Sequence, residues 1–141
     1  MSYTIVVRVI DASDVGFSLV EKTVWYYANG GTWSNTNGIQ TLVMGGSGTS
    51  GTLRFKSGDG EAFLVAVGVH NYKHWCDVAV DLTDGDTSMK VQPTYYESTD
   101  RAKVREEQLS EITRKNSKGR SISVKYVTQD SNTFHAIVTV S

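Results

Sequence analysis

Two segments of the chain concentrate side chains that could do chemistry. Residues 45–51 read GGSGTSG, and residues 70–77 read HNYKHWCD. Glycine lets a ligand approach the backbone, while the hydroxyl of Ser47 and the amide of Asn71 both donate and accept hydrogen bonds. Sugar sites combine such groups with an aromatic face, because sugar C–H groups stack on rings. These segments are typical of a site for neutral polyols.

The Gly-rich segment also has two other interpretations. Gly46, Gly48 and Gly51 match G-x-G-x-x-G, but the following Thr52–Lys56 alternates with a period of two instead of opening a helix. The Gly-Lys-Ser/Thr of a phosphate-binding loop is missing as well. The context therefore argues against a nucleotide, and leaves a tight hairpin or a polyol-binding loop.

A metal centre is the alternative for the second segment. His70, His74 and Cys76 have side chains that ligate zinc, and Asp77 would be a fourth ligand. The preceding residues are strand-like, however, and a helix would be needed to align the two histidines. We expect a packed corner with Trp75, and neither a metal nor a cofactor.

Catalytic groups are present without a catalytic pattern. The chain has no G-x-S-x-G elbow, and nothing in the sequence orients Cys76 against a histidine. Carboxylates that could pair for glycoside hydrolysis are Glu61, Asp77, Glu106 and Glu107. Small proteins contain such pairs by chance, so we expect solvated surface charge and no enzyme.

Composition limits the possible partners. The 141 residues carry 14 basic and 15 acidic side chains, so no basic excess exists to bind nucleic acid or an anionic membrane. Cys76 is the only cysteine, which suits a reducing compartment. Residues 1–14 lack the features of a signal peptide, and Ala62–Val69 is too short an apolar run to span a bilayer. We expect a soluble cytoplasmic protein.

Apolar residues alternate with polar ones along much of the chain, which predicts half-buried strands. The run Phe63–Val67 has no polar alternation and predicts a central strand that is covered on both faces. Alternating or apolar stretches predict strands at residues 5–9, 19–27, 40–44, 52–57, 87–92, 121–126 and 133–140. Short strands separated by glycine-rich turns favour a β-sandwich, and we expect a single domain over residues 1–141.

One segment favours a helix. Thr99–Ile112 contains helix formers without Gly or Pro, and Ser98 or Thr99 can cap it. Pro93 should end or edge the preceding strand. Residues 71–77 permit a second, shorter helical turn.

Several blocks together resemble the fungal fruit-body lectin family. They are VEKTVWYYANGGTW (20–33), MGGSGTSGTLRF (44–55), VGVHNYKHWCD (67–77), the Tyr95-Tyr96 pair followed by REEQL (105–109), and the C-terminal strand pair. The blocks span nearly the whole chain in the family's order. The resemblance implies a mainly β protein, an actinoporin-like sandwich of two sheets with a helix-loop-helix connection.

The resemblance also implies a function. The family's members are homotetrameric lectins that bind the T-antigen disaccharide, galactose linked to N-acetylgalactosamine, on O-glycans, and many are toxic to nematodes or insects. The expected partners are glycans and O-glycosylated proteins, with membranes reached only through surface glycoconjugates. The rival function is a membrane-active cytolysin, because the implied fold resembles actinoporins. The chain shows no basic amphipathic N-terminal helix in support of that rival.

Two sugar sites follow from the resemblance. The galactosyl site is implied to consist of Ala28, Asn29, Gly30, Ser47, Gly48 and Asn71, all of which match the family's pattern. The site for N-acetylglucosamine is implied to consist of Asp77, Val78, Val80, Arg101 and Ile112. Val80 stands where the family has Thr, and Ile112 where it has Tyr. Two polar contacts are lost, so we expect this second site to be impaired or altered in specificity.

Overall fold

The alternating segments fold into ten β-strands in a computed structural model that describes all of residues 1–141. The strands are β1 Tyr3–Asp11, β2 Phe17–Trp25, β3 Gly31–Thr36, β4 Ile39–Met44, β5 Ser50–Ser57, β6 Ala62–His70, β7 Lys73–Ala79, β8 Glu111–Lys115, β9 Ser121–Asp130 and β10 Thr133–Val140. Between β7 and β8 lie helix α1 Ser88–Val91, a 3₁₀ helix Gln92–Tyr96 and helix α2 Asp100–Glu107. Strands dominate, as the alternation predicts.

The strands form two sheets. One has six strands in the order β3-β4-β1-β10-β9-β8, and the other has four in the order β2-β5-β6-β7. The first and last strands of the chain, β1 and β10, pair in parallel, while every other pairing is antiparallel. The mainly β fold with two sheets confirms the prediction.

The core explains why β6 is apolar on both faces. Phe63, Val65 and Val67 point between the two sheets and pack in the main core. The alternate residues Leu64 and Ala66 join a smaller buried cluster that includes Trp75 and Tyr95, beneath the helical segment. A strand buried on both faces needs no polar alternation, so the prediction for residues 63–67 is confirmed.

The helical segment connects the sheets. It leaves β7 at the edge of the four-stranded sheet and returns to β8 at the edge of the six-stranded sheet. Thr99 caps α2, because its side chain accepts a hydrogen bond from the backbone N–H of Ala102 at 3.3 Å. The helical connection and one of the two predicted caps are confirmed. None of the helices has the length and apolar character that a membrane span requires.

The strand predicted at residues 87–92 is wrong. These residues form α1 and the start of the 3₁₀ helix, and Pro93 lies in the first turn of that helix instead of ending a strand. Proline suits this position because its ring fixes φ near −65° and its missing N–H would be unpaired there anyway.

Two helical predictions are also wrong in extent or place. Helix α2 stops at Glu107, because Gln108 adopts the left-handed conformation at φ 53°, and the chain then pairs as β8 with β9. The helical turn permitted at residues 71–77 is instead a hairpin. Asn71 and Tyr72, at φ 47° and 67°, form its two-residue turn between β6 and β7.

The Gly-rich segment is not a tight hairpin. It leaves β4 in the six-stranded sheet and enters β5 in the four-stranded sheet, so it crosses from one sheet to the other. The strand β3 was not predicted, because Gly31–Thr36 is mostly polar and exposed on this sheet edge. Its pairing with β4 is what orders it.

Candidate functional site

The Gly-rich loop and the β6–β7 turn meet the helical segment at a shallow cavity of about 430 Å³, here called the first cavity. This volume falls within the range of small-molecule sites. Residues that line it are Trp25, Tyr27, Ser47, Gly48, His70, Asn71, Tyr72, Tyr96 and Arg105. Three predicted site residues, Ser47, Gly48 and Asn71, therefore come together here from two separate segments.

Backbone hydrogen bonds fix the Gly-rich loop against the end of β6. The N–H of Gly48 donates to the carbonyl of Val69 at 2.8 Å, and the N–H of Val69 donates to the carbonyl of Thr49 at 3.0 Å. The Ser47 hydroxyl accepts from the N–H of Tyr72 at 2.9 Å. The loop and the turn are thus joined into one rim with exposed hydroxyl and amide groups.

The other three predicted residues lie behind this rim. Ala28, Asn29 and Gly30 all have positive φ, at 48°, 71° and 70°. They do not line the cavity. The N–H of Gly45 donates to the carbonyl of Gly30 at 2.9 Å, and a Cβ on Gly45 would lie 2.5 Å from the carbonyl oxygen of Ala28. This loop therefore supports the Gly-rich loop from behind through close backbone contact.

Aromatic rings form a wall of the first cavity. The rings of Trp25 and Tyr96 stack 4.2 Å apart with an interplanar angle of 5°. The Arg105 guanidinium lies 4.8 Å from the centre of the Tyr96 ring, and the Tyr96 and Ser50 hydroxyls are 2.6 Å apart. Burial raises the pKa of Tyr96 to about 12, although Ser50 and Arg105 oppose the shift. These contacts hold the Trp25 and Tyr96 rings in place, and the Tyr96 phenol stays neutral.

His70 adds a neutral group beside the predicted Asn71. Burial, and then the charge of Arg105, lower the pKa of His70 below its usual value, so the imidazole is uncharged at neutral pH. Its Nε2 lies 3.3 Å from the Asn71 amide nitrogen. The arrangement offers uncharged hydrogen-bonding groups and ring faces, which suits a sugar.

The sequence did not identify most of this wall. The galactosyl set implied by the resemblance leaves out Trp25, Tyr27, His70, Tyr72, Tyr96 and Arg105, all of which line the cavity. Aromatic residues near turns were a usable signal for the rings, since Tyr72 is 79% exposed in the β6–β7 turn. No sequence signal pointed to Arg105, which reaches the cavity only because α2 packs there.

A second cavity, of about 420 Å³, lies on the other part of β7. Its lining residues are Asp77, Val78, Ala79, Val80, Thr99, Asp100, Arg101, Val104 and Arg114. Asp77, Val78, Val80 and Arg101 were predicted to belong together, and the structure brings them together. Ile112 does not line the cavity; it packs against the main core with Val80.

Asp77 is the buried anion of the second cavity, with only 2% of its surface exposed. Its Oδ2 accepts from the Tyr95 hydroxyl at 2.7 Å, and its Oδ1 accepts from Arg114 Nη2 at 3.0 Å and Nε at 3.3 Å. Burial and the Asp77 charge raise the pKa of Tyr95, so the phenol remains a donor. Arg114 was missed, although the alternation of β8 places it on the same face as Ile112.

The other side chains that could ligate a metal or take part in catalysis make contacts within the fold. The His74 ring packs against the Tyr126 ring with the centres 4.3 Å apart and the planes tilted by 49°, and the Cys76 thiol donates to the carbonyl of Leu109. Burial, with the charge of Asp77, raises the pKa of Cys76 to about 12. No group of three or more His, Cys, Asp or Glu side chains is arranged to hold a metal ion. Glu61 is bound by Arg120 at 2.8 and 3.0 Å, which holds its carboxylate in place.

A shallow cavity that combines hydroxyl and amide groups with aromatic rings, like the first cavity, is typical of the class of sugar-binding proteins. The sequence model of the fungal fruit body lectin family matches residues 1–138, and the chain belongs to that family. It is 49% identical to Boletus edulis lectin over 143 residues, which cover all of both chains.

Crystal structures of Xerocomus chrysenteron lectin have the same fold. The wild-type protein is 50% identical and superposes with a TM-score of 0.95, covering 100% of both chains. A mutated form gives a TM-score of 0.96 at 50% identity, covering 100% of this chain and 99% of that one. The predicted family is therefore confirmed, and with it carbohydrate binding as the general function.

Proposed function

We propose that this protein is a non-catalytic lectin whose first cavity binds the T-antigen disaccharide, galactose linked to N-acetylgalactosamine. The observation that carries the proposal is the convergence of Ser47, Gly48 and Asn71 on one cavity. The Trp25–Tyr96 stack next to them offers an apolar face to the sugar ring. The exposed Asn71 amide can donate to one sugar hydroxyl and accept from another.

The state of the buried carboxylates supports a binding role over catalysis. Glycoside hydrolysis needs two carboxylates free to face one bond, with one poised to give a proton. Glu61 is engaged by Arg120 and Asn116, and both oxygens of Asp77 already accept hydrogen bonds. Incubation with a bound glycan should therefore release no free sugar.

We also propose that the second cavity has lost much of its affinity for N-acetylglucosamine. Val80 and Ile112 have no hydroxyl to offer a ligand. Both are partly buried and pack against the main core. Each missing hydrogen bond costs about 0.5–1.5 kcal/mol net, so two would weaken a shallow site by one to two decades. Titration with N-acetylglucosamine should show binding far weaker than that of the disaccharide.

The wider proposal is a multivalent defence protein. We propose that residues 1–141 act as one lectin domain in a homotetramer that crosslinks O-glycosylated proteins on nematodes or insects. Weak sites on one assembly gain avidity when several bind one surface. Sedimentation should give a tetramer, and a single-site variant should lose toxicity together with glycan binding.

The direct test replaces Asn71 with glycine. Asn71 and Asn37 each occupy a left-handed position, at φ 47° and 52°, in a two-residue turn between paired strands. Glycine keeps both turns in that conformation. We expect Asn71→Gly to lower affinity for the disaccharide about tenfold in calorimetry, whereas Asn37→Gly binds normally. Equal affinity in both variants, or no binding of core O-glycans by the unmodified protein, would refute the proposal.

A further inference from the structure

Four charged side chains line the second cavity, whereas Arg105 is the one charged side chain that lines the first. Arginine side chains enter it from two elements, Arg101 from α2 and Arg114 from β8. Its acidic lining residues are Asp77 and Asp100. Asp100 is fully exposed and lies 3.7 Å from Lys103 on the helix surface, so solvent screens it. The net charge inside the cavity therefore depends on one carboxylate, Asp77, and on the two guanidinium groups of Arg101 and Arg114.

Asp77 is already occupied as a hydrogen-bond acceptor. Tyr95 binds one of its oxygens, and two N–H groups of Arg114 bind the other. Because the carboxylate is 2% exposed, a ligand gains little access to it. Asp77 therefore serves to position Arg114, and it is not the group that a sugar hydroxyl would meet first.

Arg114 keeps donors for a ligand. A guanidinium carries five N–H groups in a planar fork, and Asp77 uses two of them. The Arg114 side chain remains 41% exposed where it lines the cavity. The buried carboxylate thus fixes the orientation of a cation whose outer edge faces the open space.

Arg101 is a cation that forms no salt bridge, although its charge contributes, after hydrogen bonds from Thr83, to lowering the pKa of the nearby Asp86. The one hydrogen bond of the Arg101 side chain is a long one from Nη1 to the Thr94 hydroxyl at 3.4 Å. The Arg101 guanidinium therefore keeps most of its N–H donors free of any carboxylate. Arginine binds planar or tetrahedral anions through paired N–H donors and is more weakly hydrated than lysine.

The rest of the cavity suits a sugar ring. Ala79, Val80 and Val104 line it alongside the two arginines, and their methyl groups can contact the C–H face of a ring. The one neutral hydroxyl among the lining side chains, that of Thr99, already donates to the carbonyl of Thr94 and accepts from the N–H of Ala102. A ligand that gains from this cavity needs an apolar face and a negative group.

We infer that the second cavity selects an anionic sugar, one that carries a carboxylate or a sulfate, through Arg101 and Arg114. The inference rests on the proposed lectin function and adds a ligand class for the second cavity. The buried Asp77 holds Arg114, and Arg101 supplies a guanidinium that no carboxylate binds directly.

The test compares sugars that differ only in charge. Backbone amide signals of Val78, Val80 and Arg101 would be followed by NMR during titration of the uniformly labelled protein. One pair of ligands is N-acetylneuraminic acid and its methyl ester, and the other is N-acetylglucosamine 6-sulfate and N-acetylglucosamine. We expect the charged member of at least one pair to bind about tenfold more tightly. The pair with the larger ratio identifies carboxylate or sulfate as the preferred anion.

A matched pair of variants separates a site from general surface charge. Arg101→Gln and Lys103→Gln remove the same charge from α2, but only Arg101 lines the cavity. Arg101→Gln should abolish the preference for the anionic sugar, and Lys103→Gln should keep it. Equal effects of the two variants would overturn the inference, as would equal affinity for charged and neutral sugars or no shift with any of them.

The first cavity serves as an internal reference in the same samples. Shifts at Ser47 and Asn71 on addition of the galactosyl disaccharide show that a variant is folded and that the lectin proposal holds. If these shifts appear while the anionic sugars leave the second cavity unchanged, only the present inference fails. If the disaccharide itself produces no shift in the unmodified protein, the proposed function fails instead.

Discussion

Gly48 determines how closely the Gly-rich loop approaches the wall of the first cavity. It has a φ of 98°, and a Cβ added there would lie 2.6 Å from Cδ1 of Tyr27. Gly60 has a similar φ of 88°, but a Cβ there would meet nothing within 4 Å. The two glycines therefore share a backbone requirement and differ only in what surrounds them.

This pair gives a prediction for the first cavity. Alanine at either position adopts a left-handed conformation, which costs about 1–2 kcal/mol of unfolding free energy. Only Gly48→Ala also displaces the Tyr27 ring, so it should weaken binding of the galactosyl disaccharide severalfold while Gly60→Ala binds normally. Urea denaturation and calorimetry measure the two effects. Normal sugar binding by Gly48→Ala would contradict the assigned role of this close contact.

Single residues were predictable where a short motif carries them. Ser47, Gly48 and Asn71 lie in compact polar segments, and the structure places them in one cavity. Arg105 and Arg114 were not predictable in this way, because each reaches its cavity through packing between distant segments. Burial and partner identity depend on tertiary structure, whereas residue type and spacing do not.

Helix α2 is the element shared by both cavities. Arg105 lines the first and Arg101 the second, and they are separated by about one helical turn. The Thr99 hydroxyl caps the helix by accepting from Ala102, and it donates to the carbonyl of Thr94. The position of both arginines therefore depends on the start of this two-turn helix.

Removing the cap should destabilise the protein measurably. We expect Thr99→Ala to lower the free energy of unfolding by about 1 kcal/mol, because the N–H of Ala102 loses its partner. Thr99→Ser retains a hydroxyl and should lose only a fraction of this. Ser98 is exposed, so Ser98→Ala serves as the control and should be neutral. Urea titrations that give the same midpoint for Thr99→Ala and Ser98→Ala would exclude the capping role.

The end of α2 shows what local propensity cannot reveal. Residues 99–112 contain many helix formers and no Gly or Pro, yet the chain leaves the helix after Glu107. The Gln108 amide donates to the carbonyl of His70, and Glu111–Lys115 pairs with β9. The first contact joins residues 38 positions apart, and the second joins neighbouring strands in a hairpin. Strand pairing and the tertiary contact with His70 outweigh local propensity here, just as pairing with β4 does for the polar strand β3.

At the scale of the whole molecule, the two sheets respond to pH through a few perturbed groups. Burial lowers the pKa of both His70 and His74 below the usual 6.5. Burial raises the pKa of Glu21, but the N–H of Ser88 and the Arg54 guanidinium outweigh it, so the pKa falls below 4.5. In each case the unfolded chain takes up a proton before the folded chain does.

The free energy of unfolding should therefore fall in two steps as the solution is acidified. Stability rises with pH wherever the unfolded state binds more protons. The first loss begins below pH 6.5 as the histidines of the unfolded chain protonate, with a slope of at most about 1.4 kcal/mol per pH unit for each proton. The second begins below pH 4.5, where carboxylates of the unfolded chain take up protons that the folded chain, with its lowered pKa values, takes up only at lower pH.

His74→Gln tests the first step. The variant loses the ring contacts with Tyr126 and Phe134, so it should be less stable at every pH. Its slope between pH 6.5 and 5 should nevertheless be smaller than that of the unmodified protein, because one proton-binding difference is gone. Urea denaturation at half-unit intervals from pH 8 to 4 measures both quantities. A slope that stays unchanged would show that His74 titrates alike in the folded and unfolded chains, contrary to its burial against these rings.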